Sequence, residues 1–247
     1  MKEVATADRL VEALKANHFE ETMYPELVGC IEYFGNTAFK QVGVNMSFNI
    51  QNPLTQDYLN GWREVRLKQI NKTTGDKIRD IVYQAQQDGQ GVRQIASAIR
   101  DYMTDMPVWR SEMIARTEAV SSANGANMTA WELSGIVEGK EWLSVQDDVT
   151  RDTHRAMDGK TAKTGELFTL PNGEQALGPG MFTDPAETIN CRCTLLPKLD
   201  EKAAPLDRVA VWRSFDADVM DWQQRLEKAA REAFARQAED LARVLDG

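Results

Sequence analysis

Residues 113–135 read MIARTEAVSSANGANMTAWELSG, and this stretch divides the chain into two kinds of pattern. Up to Ser134 its apolar residues Met113, Ile114, Ala119, Ala123, Ala126 and Ala130 recur at helical spacing. They predict a long helix opened by Pro107, whose missing N–H costs nothing in a first turn. At Ser134-Gly135 the helical period stops, and short apolar pieces separated by turn residues take over. The fold class predicted is α+β: a mostly helical region at 1–133, a small β-rich core at 134–197, and a linker with an amphipathic helix at 198–247.

Upstream of the dividing stretch, five further helical segments are expected. Leu10, Val11, Leu14 and His18 share a helical face after Thr6 or Asp8 as N-cap. A second helix is expected to begin after Pro25 and to end near Gly43. Val44–Ile50 reads as extended, and Asn52-Pro53 as a break. A third carries Tyr58, Leu59, Trp62, Val65, Leu67 and Ile70. Thr74 or Asp76 caps a fourth, and Gly89 with Gly91 separates it from a fifth around Ile95–Met103. Trp62, Trp109 and Trp131 fall on helices as packing residues.

Downstream, Ile136-Val137 and Trp142–Val145 read as strand material, and Thr150–Met157 as one or two helical turns. Leu167–Leu170 followed by Pro171-Asn172-Gly173-Glu174 reads as a strand entering a hairpin turn, and Cys193–Pro197 as a closing strand. Gly178-Pro179-Gly180 is a turn and not a phosphate loop, because no Gly-Lys-Ser/Thr and no helix follow it. Lys202-Ala203-Ala204-Pro205 reads as a linker. Val219, Trp222, Leu226, Ala230, Phe234, Ala238, Leu241 and Leu245 then step by three or four along a last helix at about 217–245.

The charge balance narrows the function classes. The net charge is −9 over 247 residues, and residues 131–196 carry 6 basic and 11 acidic groups. Nothing here has the footprint of a duplex-binding protein. The most basic patch, Arg63, Arg66, Lys68, Lys72, Lys77 and Arg79, is interleaved with Asp57, Glu64, Asp76 and Asp80 and reads as a solvated helix face. No run of about 18 apolar residues predicts a membrane span. No basic, then apolar, leader opens the sequence, so the protein is expected in the cytoplasm or in a particle assembled there. Cys30, Cys191 and Cys193 are an odd number, unsuited to a disulfide framework.

The chemistry-bearing residues cluster late in the chain. Cys191 and Cys193 with His154 supply three soft or borderline ligands, one short of a closed zinc site. Asp148, Asp152 or Asp158 is available as a fourth, and nothing in the sequence selects among them. The same residues admit a hydrolase reading, with Cys191 as nucleophile, His154 as base, and Asp147 or Asp148 orienting the imidazole. Strand alternation argues against it, since both thiols would face one side and Arg192 the other, which suits a structural pair. Arg116 and Glu118, two apart on a helix, do not face each other and are expected to reach separate partners.

Two groups of residues carry a resemblance. One is Ile114-Ala115-Arg116-Thr117-Glu118 followed by small residues through Asn124 and Asn127. The other is Trp142, Asp147-Asp148, Thr150-Arg151, His154, Asp158-Gly159, Phe168, Pro179-Gly180 and Ile189-Asn190-Cys191-Arg192-Cys193. In this order and spacing, over roughly residues 60–197, the chain resembles the phage Mu F-like minor head proteins, also called head-morphogenesis proteins. The resemblance implies a non-enzymatic role at the head interior or portal vertex of a virion. Its implied partners are the portal protein, major capsid or scaffold proteins and, weakly, packaged DNA. Related domains also occur upstream of toxin domains. Arg116, Glu118, Trp142, Asp148, Arg151, His154, Asn190, Cys191, Arg192 and Cys193 are the residues expected to determine fold or interaction.

Overall fold

The helical half of the chain comprises α1 (Ala7–Ala13), α2 (His18–Gln41), α3 (Pro53–Gly61), α4 (Leu67–Gln87) and α5 (Val92–Ser134), with a π-helical turn at Trp62–Arg66 between α3 and α4. The structure is a computed structural model that describes residues 7–14, 17–199 and 207–246. Asn52 opens α3 as expected of an Asn-Pro pair: its side-chain oxygen accepts from Leu54 N at 2.9 Å, and Pro53 takes the first helical position.

Three expected helix boundaries are helix interior instead. Pro25 lies within α2, and Pro107 within α5, so the fifth and sixth expected helices are one. An interior proline costs roughly 3 kcal/mol. Burial on both sides offsets it: Met23, Leu27 and Ile31 around Pro25, and Met103, Met106 and Ile114 around Pro107. Thr74 caps nothing. It is fully buried inside α4, where its hydroxyl donates to Ile70 O at 3.3 Å. Of the expected caps of α1, Thr6 lies outside the described residues and Asp8 falls inside the helix. The expected linker at 202–205 is also outside them.

The second half holds β1 (Gly139–Leu143), α6 (Asp152–Arg155), β2 (Thr161–Lys163), β3 (Phe168–Thr169), β4 (Gln175–Ala176), α7 (Pro185–Thr188), β5 (Thr194–Lys198) and α8 (Arg208–Asp246). The fold is α+β, as the sequence predicts. β1 is central in an antiparallel sheet ordered β2-β1-β5, with Trp142 opposite Leu195. β3 and β4 form the expected hairpin around Gly173, whose φ of 91° suits a residue without a Cβ. α8 begins nine residues before the sequence estimate because Asp207 caps it, accepting from Val209 N at 2.9 Å and Ala210 N at 3.1 Å. Among the described residues no helix is long and apolar enough to cross a membrane.

The described residues group into two compact units. One draws on 1–25, 57–111 and 228–247, the other on 26–56 and 112–227. The first is built on Leu10, Phe19, Trp62, Ile78, Ile99 and Phe234. Gln237, and not the expected Ala238, takes the buried place on α8, donating to Asn71 Oδ1 at 3.0 Å. Three of the basic-patch residues are ion-paired in this unit: Arg63 with Glu20, and Lys72 and Arg79 with Asp76. That matches a solvated face better than a phosphate track.

The core of the second unit includes Phe34, Phe39, Trp131, Trp142, Leu195 and Phe215, and the same unit fully buries a lysine, Lys140 of β1. Its Nζ donates to Thr164 O at 2.8 Å and lies 5.6 Å from the centre of the Phe168 ring. Burial pushes its pKa down to about 8, against the weaker pull of Glu132 and Glu166. The unfolded chain therefore holds this proton more tightly than the native one between about pH 8 and 10.5. Stability contributed here rises with pH across that window, by about 2–3 kcal/mol. Urea unfolding of wild type and Lys140→Met from pH 7 to 10.5 checks it: the stability difference between them shrinks as pH rises. A constant difference would contradict a buried ammonium.

Candidate functional site

The site in the second unit starts from the small residues of α5. Every residue from Thr117 to Met128 is buried, although six of them are Thr, Glu, Ser or Asn. Short side chains let a loop backbone lie directly on the helix. A Cβ on Gly180, which sits at φ 80°, would come within 3.2 Å of Ser121 Cα. Ser121 Oγ donates to Gly180 O at 2.9 Å. Asn124 Nδ2 donates to Pro179 O at 3.3 Å and to Cys193 O at 3.0 Å, and its Oδ1 accepts from Thr194 Oγ1 at 3.0 Å. The Gly-Pro-Gly turn and the approach to β5 are thereby fixed to one helix face.

The same face sets the course of the Cys-Arg-Cys segment. Asp184 caps α7, its side chain accepting from Ala186 N at 2.8 Å. After α7 the backbone reverses at Asn190, whose φ of 59° is a left-handed conformation that asparagine tolerates better than most residues. Asn190 N donates to Thr117 Oγ1 at 3.1 Å, Arg151 donates to Ile189 O, and Arg116 Nη1 reaches Asn190 Oδ1 at 3.4 Å. Beyond this bend both thiols point inward and Arg192 outward, as alternation predicts, although regular strand begins only at Thr194.

Inside, His154 Nδ1 stands 3.5 Å from Cys191 Sγ and 3.6 Å from Cys193 Sγ. The three donor atoms lie within 4.8 Å of one another, and their residues are 1–3% exposed. On the other side of the ring, Nε2 lies 3.2 Å from Glu187 Oε2, without an aligned hydrogen bond. Glu187 is itself buried and held by Thr153 Oγ1 at 2.9 Å and Asn172 Nδ2 at 2.7 Å. The edges of Trp142 and the imidazole meet at 5.3 Å between centres. Hydrogen bonding from Cys193, reinforced by His154, holds the Cys191 thiol well below its ordinary range, while Cys193 is pushed far up by the same contact and by burial. A cavity of about 10 Å³, lined by Thr150, Arg151, Asn190 and these three residues, adjoins them.

Outside, Arg192 makes a two-pronged pair with Asp147 at 2.6 and 2.8 Å, which holds the Asp147 carboxyl down at about 2. Thr150 also donates to Asp147 Oδ1 at 2.9 Å. Asp158 accepts from Ser144 N at 2.9 Å and pairs with Arg208. Asp148 and Asp152 are both exposed, and Asp152 lies 3.9 Å from Arg155. None of the three carboxylates considered as a fourth ligand joins the His–Cys cluster. The carboxylate beside His154 is neither Asp147 nor Asp148 but Glu187. Nothing in the sequence marks Glu187, a residue type that is normally exposed.

Of the residues singled out from sequence, Trp142, His154, Cys191 and Cys193 form the buried cluster, and Arg116, Arg151 and Asn190 brace the bend that delivers it. Glu118 is buried on α5, and Arg192 anchors the outer side. Arg116, Asn190 and Arg192 also line a surface cleft of about 740 Å³ with Val149, Phe215, Val219 and Met220. Val149 and Met220 are more than half exposed there.

Comparison with known proteins adds identity to this geometry. The family described as Phage Mu protein F like protein matches residues 76–196. Minor head protein GP7 of Bacillus phage SPP1 is 28% identical over 114 residues, 45% of this chain and 37% of that protein. NAD(+)--arginine ADP-ribosyltransferase EFV of Enterococcus faecalis is 35% identical over 116 residues, 46% of this chain and 23% of that protein. Uncharacterized protein YqbB of Bacillus subtilis is 22% identical over 191 residues, 74% of this chain and 61% of that protein. The chain thus spans less than two thirds of each of these relatives. No solved structure matches. The chain carries, across residues 76–196, a domain of the phage Mu protein F-like family.

Proposed function

We propose that this is a minor head protein of a tailed phage, acting in head assembly by binding the portal protein or the inner procapsid. The observation that carries the reading is the Mu F-like match over residues 76–196, a domain family to which the chain's likeness to a minor head protein of phage SPP1 also points. The geometry supports a structural role over a hydrolytic one. Thiol, imidazole and carboxylate follow one another in the order of a cysteine hydrolase, but they are at most 6% exposed. The adjoining cavity of about 10 Å³ has room for one water and for no larger substrate. The likeness to the ADP-ribosyltransferase covers 23% of that enzyme and brings no transferase activity into the proposal.

The surface we assign to the partner is the cleft where Arg116, Asn190 and Arg192 emerge, because its exposed Val149 and Met220 offer apolar anchors within a charged rim. The test is made in the phage that encodes the protein. Purified heads from wild type contain the chain, and Val149→Asp with Met220→Asp lowers its copies per head roughly tenfold or more. The isolated variant unfolds at the wild-type urea concentration. Heads that package DNA normally and lack the protein would sink the reading. Normal incorporation of the variant would move the interface elsewhere.

A further inference from the structure

We propose that His154 Nδ1, Cys191 Sγ and Cys193 Sγ bind one zinc ion, with a water molecule as fourth ligand in the adjoining cavity. The distances fit the ion. Tetrahedral zinc with sulfur at about 2.3 Å and nitrogen at about 2.0–2.1 Å places each sulfur about 3.6 Å from the nitrogen. The two Sγ–Nδ1 separations are 3.5 and 3.6 Å. A pair of thiols packed only for burial has no reason to hold both sulfurs at that distance from a single ring nitrogen.

The surroundings fit a metal-bound histidine as well. With Nδ1 on the ion, the ring proton sits on Nε2, 3.2 Å from Glu187 Oε2. That is the arrangement in which a carboxylate fixes the tautomer of a ligating imidazole. Thr153 and Asn172 occupy the rest of that carboxylate and keep it an acceptor. Trp142 Nε1 is a buried donor with no hydrogen-bond partner among the described residues. Two thiolates balance the charge of the ion in a setting that would otherwise exclude it. The cavity touches all three ligand residues and is about the size of one water. Since no described carboxylate joins the cluster, the fourth position belongs to solvent. The ion joins α6 to the segment entering β5 and so closes a long connection.

The experiment uses the full chain purified without chelator. Metal analysis returns about one zinc per chain. Replacing zinc by cobalt(II) gives a thiolate-to-cobalt charge-transfer band in the near ultraviolet. Cys30→Ser keeps the band, because Cys30 lies apart, with its Sγ beside Ala119 O. Cys191→Ser and Cys193→Ser each weaken it, and the double variant loses it. Glu187→Gln keeps its shape and weakens zinc binding 10–100-fold, measured by competition with a chromogenic chelator. Because the wild-type band needs no variant to fold, a folded wild-type chain without zinc and without a thiolate–cobalt band overturns the proposal. A band that survives in the double variant Cys191→Ser with Cys193→Ser does the same.

Discussion

Replacing Trp142 by alanine lowers the free energy of unfolding by about 3–5 kcal/mol, and by more than any single change on the exposed faces of α4 or α8. Trp142 is fully buried on the central strand of the three-stranded sheet, opposite Leu195. Its ring meets Phe168 edge-on at 5.4 Å and His154 at 5.3 Å, and lies 6.1 Å from Phe182. Truncation therefore removes a large apolar area and three ring contacts at once. It also opens a void beside His154 in a unit whose sheet is too small to close around it. Trp142→Phe keeps most of the volume and costs roughly 1–2 kcal/mol. Urea unfolding followed by far-ultraviolet circular dichroism separates the two, and a thiol reagent gives a second readout. In the alanine variant Cys191 and Cys193 react faster under native conditions than in wild type, while buried Cys30, in a different part of the core, keeps its rate. A cost under 1 kcal/mol for Trp142→Ala would mean that the indole is not the keystone of this core.

The sequence makes some of this arrangement plain and hides the rest for identifiable physical reasons. The change of period at Ser134-Gly135 is real: α5 ends at Ser134 and the strands follow. The hairpin at 168–176 and the closing strand after Cys193 are equally plain, because turn chemistry and alternation are local signals. The prolines mislead, since burial around Pro25 and Pro107 is a tertiary effect that outweighs local propensity. The start of α8 is hidden because a single capping side chain, Asp207, sets it upstream of the apolar stripe. In the site, the residue types with distinctive chemistry stand out: His154, Cys191 and Cys193 do converge. Glu187 does not stand out, because its burial follows from the Asp184-capped turn of α7 and from partners at Thr153 and Asn172, all fixed by the fold. Choosing between Asp147 and Asp148 needs the course of the loop, which gives Asp147 to Arg192 and leaves Asp148 in solvent.

Asn124→Leu is the second large effect, about 3–5 kcal/mol, and it tests the polar seam and not the aromatic core. Asn124 is fully buried, and its amide serves three groups that have no water to turn to: Pro179 O, Cys193 O and the Thr194 hydroxyl. Leucine matches the shape of asparagine closely and adds apolar volume, so on burial alone it would be neutral or favourable. The cost comes from the partners it strands, at roughly 1–3 kcal/mol for each buried polar group left unpaired. The comparison with alanine decides between the two accounts. Alanine leaves space for a water to take over part of the network, so it costs less than leucine although it removes more atoms. Thr194→Val removes one donor and leaves the two carbonyl bonds in place, for about 1–1.5 kcal/mol. Urea unfolding of the three variants should therefore rank Leu above Ala above Val in cost. Were alanine the most damaging of the three, lost packing would be the cause. The small-residue face of α5 would then act as a spacer, and not as the hydrogen-bonded template that sets the Gly-Pro-Gly turn and the carbonyl of Cys193 in place.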